Sequence, residues 1–211
     1  MVGQGVLKEC IDDAEVTAVL VVGRSSCKVE HDKLREVIHD DFFDYSRIAD
    51  ELTGHDVCFF CLGVSAAGMG EQQYHRLTYE LTVRTAETLV ELNPNMTFCY
   101  VSGAGTDGTE SGRIMWARVK GKTENRLMRL PFKAMYLFRP GYIQPLKGIK
   151  SKTRVYRVVY MLLGPLYPLM KTLFPKYVTT TEKLGRAMLH VARGGYPRNV
   201  LENRDINAMA V

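Results

Sequence analysis

An α/β protein built on a parallel sheet is the fold this sequence predicts, and three observations predict it. Short apolar runs rich in β-branched residues, VTAVLVVGR (16–24) foremost, have the unbroken hydrophobicity of strands buried on both faces. Longer stretches with helical spacing separate them, so strand and helix alternate about every 25–40 residues. The strands end at small-residue loops, as in Val101-Ser102-Gly103 and Leu62-Gly63-Val64.

The chain opens on a short amphipathic helix that ends near Asp12-Asp13, with no strand before it. After the run at 16–24, Leu34 to His39 reads as a shorter strand and Tyr45–Leu52 as a helix. DVCFFCLG (56–63) reads as the next strand, followed by the small-residue loop GVSAAGMG (63–70). A long amphipathic helix runs from about Glu71 to Leu92, where Asn93-Pro94 stops it. Met96 to Ser102 supplies one strand, about Arg113 to Lys122 a helix, and Phe132–Phe138 a further strand closed by Arg139-Pro140-Gly141. Thr179-x-x-Glu182 reads as a capping box opening a helix to about Arg193, and a tail ending in ENRDINAMAV follows.

The length of 211 residues suits one domain: residues 1–145 as its main body and 146–211 as a C-terminal lobe of the same domain. The net charge of +5 hides an asymmetry. Residues 1–111 carry 8 Lys/Arg against 19 Asp/Glu, whereas residues 112–177 carry 15 against the single acid Glu124. Such a block favours an anionic partner: a phosphate-rich cofactor, an acidic substrate or an anionic membrane face. A solvated basic face with no ligand is the plain alternative. No nucleic-acid-binding motif and no aromatic–basic stacking pattern is present. Val155–Phe174 is apolar for much of its length, but Arg157, Lys171 and two prolines make it a poor membrane span. It reads better as a lobe over a pocket, with peripheral membrane contact through the basic 147–177 segment as the second choice.

Five scattered cysteines and no signal peptide point to a reducing compartment, hence a cytoplasmic location. Cys58 and Cys61 have CxxC spacing but lie in the apolar run VCFFCL, where residues three apart point to opposite faces of a strand. They read as buried structural thiols, and no metal site is expected.

The stretch Met96–Lys122 carries the chemistry. Ser102 stands at the end of its strand, and Trp116 and Lys120 share one face of the helix behind it, one turn apart. This layout resembles the active site of the short-chain dehydrogenase/reductase superfamily, in particular its atypical and extended branch of NAD(P)-binding epimerase/dehydratase-like and Tat-interacting-protein-like reductases. The resemblance covers about residues 1–145, with a looser match at the C-terminal helix. It implies a Rossmann-like, doubly wound parallel sheet with a small C-terminal helical lobe.

What the resemblance implies for individual residues follows the family pattern position by position. Met1-Val2-Gly3 lines up with the end of the glycine fingerprint that cradles the cofactor pyrophosphate, and of its three glycines only Gly3 is present. Arg24, 21 residues after Gly3, stands where an acid would hold the ribose of NAD, and an arginine there accepts the 2′-phosphate of NADP. Ser25, with Ser26 and Lys28, adds donors. Asp41 and Phe42 fall where the family flanks the adenine, and Leu62, Gly63 and Val64 where small residues let the cofactor pass. Pro140, Gly141 and Tyr142 match the loop near the nicotinamide, and Thr78 stands where many members carry an asparagine.

Ser102 and Lys120 match the family's serine and lysine, whereas Trp116 replaces its tyrosine, and an indole N–H does not titrate near neutrality. Tyr142, Tyr100 and Thr106 are then the candidates for a proton donor. Two functions follow: an NADP-dependent oxidoreductase acting on a small carbonyl-type molecule, or a non-catalytic dinucleotide-binding regulator or interaction module.

In the strand order 3-2-1-4-5-6 the first strand lies between the second and the fourth. The sequence supplies 16–24 and 56–63 for the latter two and nothing for the place between them. The expectation is that Met1 is an internal methionine of a longer natural chain, preceded by about ten to fifteen residues forming an apolar strand and a glycine turn. The alternative is a product that joins the second and fourth strands directly, or borrows a strand from a partner chain.

Overall fold

The computed structural model describes residues 1–146, 167 and 172–210. Its contacts divide the chain into two units, one of residues 1–40, 140–196 and 201–211, the other of residues 41–139 and 197–200. Residues 140–196 and 201–211 therefore cluster with residues 1–40. The expectations for Val155–Phe174 fall mostly outside the described residues.

The first unit begins with α1 (Val2–Asp12), followed by β1 (Val19–Gly23), which pairs in parallel with β2 (Leu34–Ile38). Lys33 Nζ donates to the carbonyls of Ile11 (3.3 Å) and Asp13 (2.6 Å), placing a cation at the negative end of α1. Further along, β6 (Tyr142–Gln144) pairs in parallel with β7 (Val178–Thr180), which leads into α5 (Thr181–Gly194). The cap of α5 is Thr180, which accepts from the Lys183 N–H at 3.0 Å; the expected cap, Thr179, is a buried strand residue one position earlier. Helices α1 and α5 pack face to face because two glycines permit it: a Cβ at Gly5 would stand 2.7 Å from that of Thr181, and one at Gly185 2.7 Å from Cγ of Glu9. Arg186 Nε pairs with the buried Glu9 carboxylate at 3.1 Å. The tail, given no element from the sequence, forms α6 (Asn203–Met209), opened by the reciprocal capping box of Glu202 and Asp205.

The second unit holds strands in the order β3-β4-β5, from β3 (Val57–Phe60), β4 (Thr97–Val101) and β5 (Ala134–Arg139). β3, β4 and β5 run parallel, with Phe59 opposite Cys99 and Cys99 opposite Tyr136. Behind them lies one long helical run, α2 (Glu71–His75), a wide π turn over Arg76–Glu80, and α3 (Leu81–Leu92), and after β4 comes α4 (Met115–Leu127). The expected helix at 45–52 is a single 3₁₀ turn, Ser46–Ile48. Its backbone finds other partners: Asp44 Oδ1 takes the Ser46 N–H, and Asn93 Oδ1 takes those of Gly54 and His55, so the chain is held as a loop.

Among the described residues β1 pairs only with β2, and β3 only with β4. The direct joining of those two strands is therefore not seen. The second edge of each offers ladder groups that no described strand takes up.

Candidate functional site

The carboxyl ends of β3, β4 and β5 lie on one edge of the second unit's sheet because the strands are parallel, and ligands of open α/β sheets bind beyond such an edge. β4 places Ser102 there, buried and one residue past its last rung, with the ladder extended by the Ser102 N–H to the Phe138 carbonyl at 2.8 Å. The loop after β3 brings Leu62, Gly63 and Val64 to the same edge, with Leu62 and Gly63 exposed.

The Ser102 side chain is oriented from within its own loop. Thr106 Oγ1 donates to the Gly103 carbonyl at 2.7 Å, so its contact of 2.9 Å with Ser102 Oγ is one in which serine gives the proton. Gly105, at φ +84°, turns the loop back toward α4, and the Trp116 indole lies over that turn, 3.5 Å from where a Cβ on Gly105 would stand. Asp107 then docks on α4: its N–H donates to the Ala117 carbonyl at 3.1 Å, and its own carbonyl fills the space a Cβ on Gly121 would need.

Lys120, half-buried on α4, reaches the same place. Its Nζ donates to the Ser102 carbonyl at 2.8 Å and stands 5.8 Å above the centre of the Tyr100 ring. Burial pushes the ammonium down to about 8, with Glu124 one turn away opposing the shift. Glu124 is itself buried and held by the Arg139 guanidinium, Nε reaching Oε1 at 3.0 Å and Oε2 at 3.2 Å. That pair was missed in the sequence, although Glu124 is the one acid of the basic block 112–177 and a lone acid there calls for a partner.

Of the three proton-donor candidates, Tyr100 is set aside. Its phenol is fully buried, burial pushes it far above its usual range, and its hydroxyl bonds to Thr123. Thr106 has its proton on Gly103. Tyr142 belongs to the first unit, where its hydroxyl donates to Gln144 Oε1 at 2.8 Å and burial raises it.

The remaining positions are placed as follows. Gly3 lies inside the first turn of α1, whose N-cap Met1 makes no side-chain cap bond to that turn. Arg24 and Ser25 are exposed just past β1, in a loop that Glu36 fastens by accepting the Cys27 N–H at 2.5 Å. Both features belong to the first unit and fit a phosphate-bearing dinucleotide. Asp41 is exposed and accepts the Phe43 N–H at 2.9 Å, whereas Phe42 turns into the core, edge-on to Tyr45. Pro140 is buried, and Gly141 is committed to packing: its N–H donates to Asn203 Oδ1 at 3.0 Å, and a Cβ would stand 2.2 Å from the Tyr177 carbonyl. Thr78 is buried in the π turn, and its hydroxyl finds no hydrogen-bond partner among the described residues. The five cysteines are free thiols, and no cluster of metal-binding side chains occurs among the described residues.

Comparison with known proteins gives the geometry a context. No family model matches the chain. Protein HTATIP2 of Rattus norvegicus is 28% identical over 143 residues, 67% of this chain and 58% of that protein, so the match spans little more than half of the relative. The mitochondrial protein FMP52 of Debaryomyces hansenii is 24% identical over 195 residues, 91% of this chain and 83% of its own. Among solved structures, the dTDP-glucose 4,6-dehydratase DesIV of Streptomyces venezuelae, with NAD and TYD bound, superposes with a TM-score of 0.66 at 14% identity, covering 99% of this chain and 76% of that one. The Bordetella bronchiseptica enzyme WbmF in complex with NAD+ gives 0.64 at 14% identity, covering 98% and 73%. These structures share the Rossmann-like α/β fold. The Ser102–Lys120 edge thus stands on a Rossmann-like fold, in a chain whose similarity to HTATIP2 and FMP52 supports the resemblance to the epimerase/dehydratase-like branch of the short-chain dehydrogenase/reductase superfamily.

Proposed function

We propose that the protein binds NADP and acts as an oxidoreductase on a small carbonyl-type substrate. The observation that carries this reading is the convergence of Lys120 Nζ and Ser102 at the carboxyl edge of a parallel sheet, 2.8 Å apart through the Ser102 carbonyl. The first-turn N–H groups of α1 would receive the pyrophosphate, and Arg24 with Ser25 the 2′-phosphate. Leu62, Gly63 and Val64 would line the cofactor's path, with Asp41 and the backbone around Phe42 near the adenine. When bound, the dinucleotide supplies or accepts a hydride. Lys120, lowered to about 8 by burial, would keep positive charge beside a developing alkoxide and could give up a proton there. Ser102 Oγ would turn its proton from Thr106 to the reacting carbonyl oxygen, and could accept from the hydroxyl of the reduced product. The family resemblance would leave Tyr142, in the loop with Pro140 and Gly141, as a candidate donor once its hydroxyl gives up the bond to Gln144.

One observation favours a second reading, a dinucleotide-binding regulator or interaction module without turnover. Trp116 stands at the family's tyrosine position, and its indole is packed on the Gly105 turn. The compartment is part of the proposal: cytoplasmic from the cysteine pattern, with mitochondria the alternative that the fungal relative's name brings to it. No helix of the described residues is long and apolar enough to cross a membrane.

A fluorescence titration with NADPH and NADH, followed by a screen of small carbonyl compounds, tests both readings. A charge-assisted contact from Arg24 to the extra phosphate is worth about 1.5–3 kcal/mol, roughly ten- to hundredfold in affinity. Arg24→Asp is expected to abolish or reverse the preference for NADPH. Equal binding of both cofactors by the unmodified protein refutes the role of Arg24. Tight binding with no turnover across the screen selects the regulator.

A further inference from the structure

We infer that the turn Leu173–Tyr177 is a docking patch for the surface of an anionic lipid bilayer. Among the described residues, Leu173 (59%), Phe174 (54%) and Tyr177 (55%) are three of the most exposed large apolar side chains, and they fall within five residues of one another. Exposed apolar side chains scattered singly are ordinary, whereas three together on one turn form a surface that water disfavours.

The exposure is not that of a frayed end. Pro175–Tyr177 forms a 3₁₀ turn closed by the Tyr177 N–H to the Phe174 carbonyl at 3.0 Å. From behind, Asn207 Nδ2 donates to the carbonyls of Pro175 (3.1 Å) and Val178 (2.8 Å), and Asn203 Nδ2 to that of Val178 at 3.1 Å. The backbone is thus fixed to α6 while its apolar side chains are held outward. The contacts it makes serve to present the patch.

Charge identifies the occupant. Lys176 sits in the middle of the turn with Nζ 5.1 Å from the centre of the Tyr177 ring. Residues 147–176 of the sequence carry seven Lys/Arg and no Asp/Glu. Phenylalanine and leucine enter the acyl boundary, tyrosine stays at the headgroup level with its hydroxyl wet, and a lysine stem reaches up to phosphate. A polybasic sequence running into the patch adds attraction to an anionic leaflet. A second copy of the chain is a poor occupant, since pairing this turn with itself would bring two Lys176 ammonium groups together. A nucleic-acid strand would find one phenol, one phenyl ring and an aliphatic leucine where stacking calls for a series of planar rings.

Co-sedimentation of the full chain with vesicles of phosphatidylcholine, alone and mixed with phosphatidylserine, tests the assignment. The protein is expected to sediment with the mixed vesicles, weakly with neutral ones, and progressively less as salt rises. Removing one fully buried apolar side chain of this size weakens partitioning about tenfold or more, so Leu173→Glu with Phe174→Glu should abolish sedimentation. Phe174→Ser, which adds no charge, should weaken it at an unchanged melting transition. Lys176→Glu is expected to reduce binding to the mixed vesicles on the order of tenfold. Failure to bind mixed vesicles overturns the inference, as does undiminished binding by the Leu173/Phe174 variant. A dimer in gel filtration that this variant dissolves, or tighter binding to an oligonucleotide than to vesicles, overturns it in favour of the other occupants.

Discussion

Arg139→Ala is the perturbation whose outcome the structure fixes most sharply. The side chains of Glu124 and Arg139 are 4% and 18% exposed, so the carboxylate has little water to replace a lost partner. Arg139 meets it through Nε, at 3.0 and 3.2 Å, and through Nη2. Breaking a buried pair by removing one member costs about 3–5 kcal/mol, because the surviving charge remains in low dielectric. With a urea slope of about 2–3 kcal/mol per molar for a chain of this size, the midpoint should fall by roughly 1–2 M at unchanged slope. Circular dichroism during urea unfolding at pH 7 reads this directly. The paired variant Glu124→Leu with Arg139→Met, which removes both charges, should recover most of the loss. A midpoint shift below about 0.3 M for Arg139→Ala would put the pair in the class of surface bridges worth about 0–1 kcal/mol. The account of Glu124 as a buried anchor behind Lys120 would then be wrong.

Lys120 predicts a pH dependence. Its folded value of about 8 lies below the ordinary 10.5, so between those pH values the unfolded chain holds a proton that the folded one has released. Stability should rise with pH across that window, and Lys120→Met should flatten the rise when urea midpoints are compared at pH 7, 8.5 and 10. Gly121→Ala, which in an exposed helix would stabilise by up to about 1 kcal/mol, should instead destabilise. Its Cβ would stand 1.7 Å from the Asp107 carbonyl, and thermal melting gives the sign. Trp116→Tyr should leave dinucleotide affinity largely unchanged and raise reduction of small carbonyl compounds; no gain in a coupled NADPH-consumption assay would favour the regulator.

Local pattern carried much of the architecture. A strand buried on both faces must be apolar throughout, and a helix must repeat near every third or fourth residue. VTAVLVVGR, DVCFFCLG and the 71–92 helix were therefore legible from composition and period alone. The juxtaposition of Ser102 with Lys120 was legible too, because a strand end and a residue two turns into the next helix are set by spacing within one unit. Tertiary structure decided whatever depends on a partner distant in sequence. Asn93 fixes the chain just after the 45–52 segment from about forty positions away by taking the N–H groups of Gly54 and His55. Asn203 claims Gly141 from 62 residues away. Glu9 finds Arg186 only because glycines at 5 and 185 let two helices approach. Thr106 becomes the acceptor for Ser102 because Gly105 folds the loop back on itself. The physical reason is the same in each case. Periodicity records which face of an element is apolar, whereas a buried polar group is satisfied by whichever donor or acceptor the fold brings within about 3 Å, and that identity is not written in any local window.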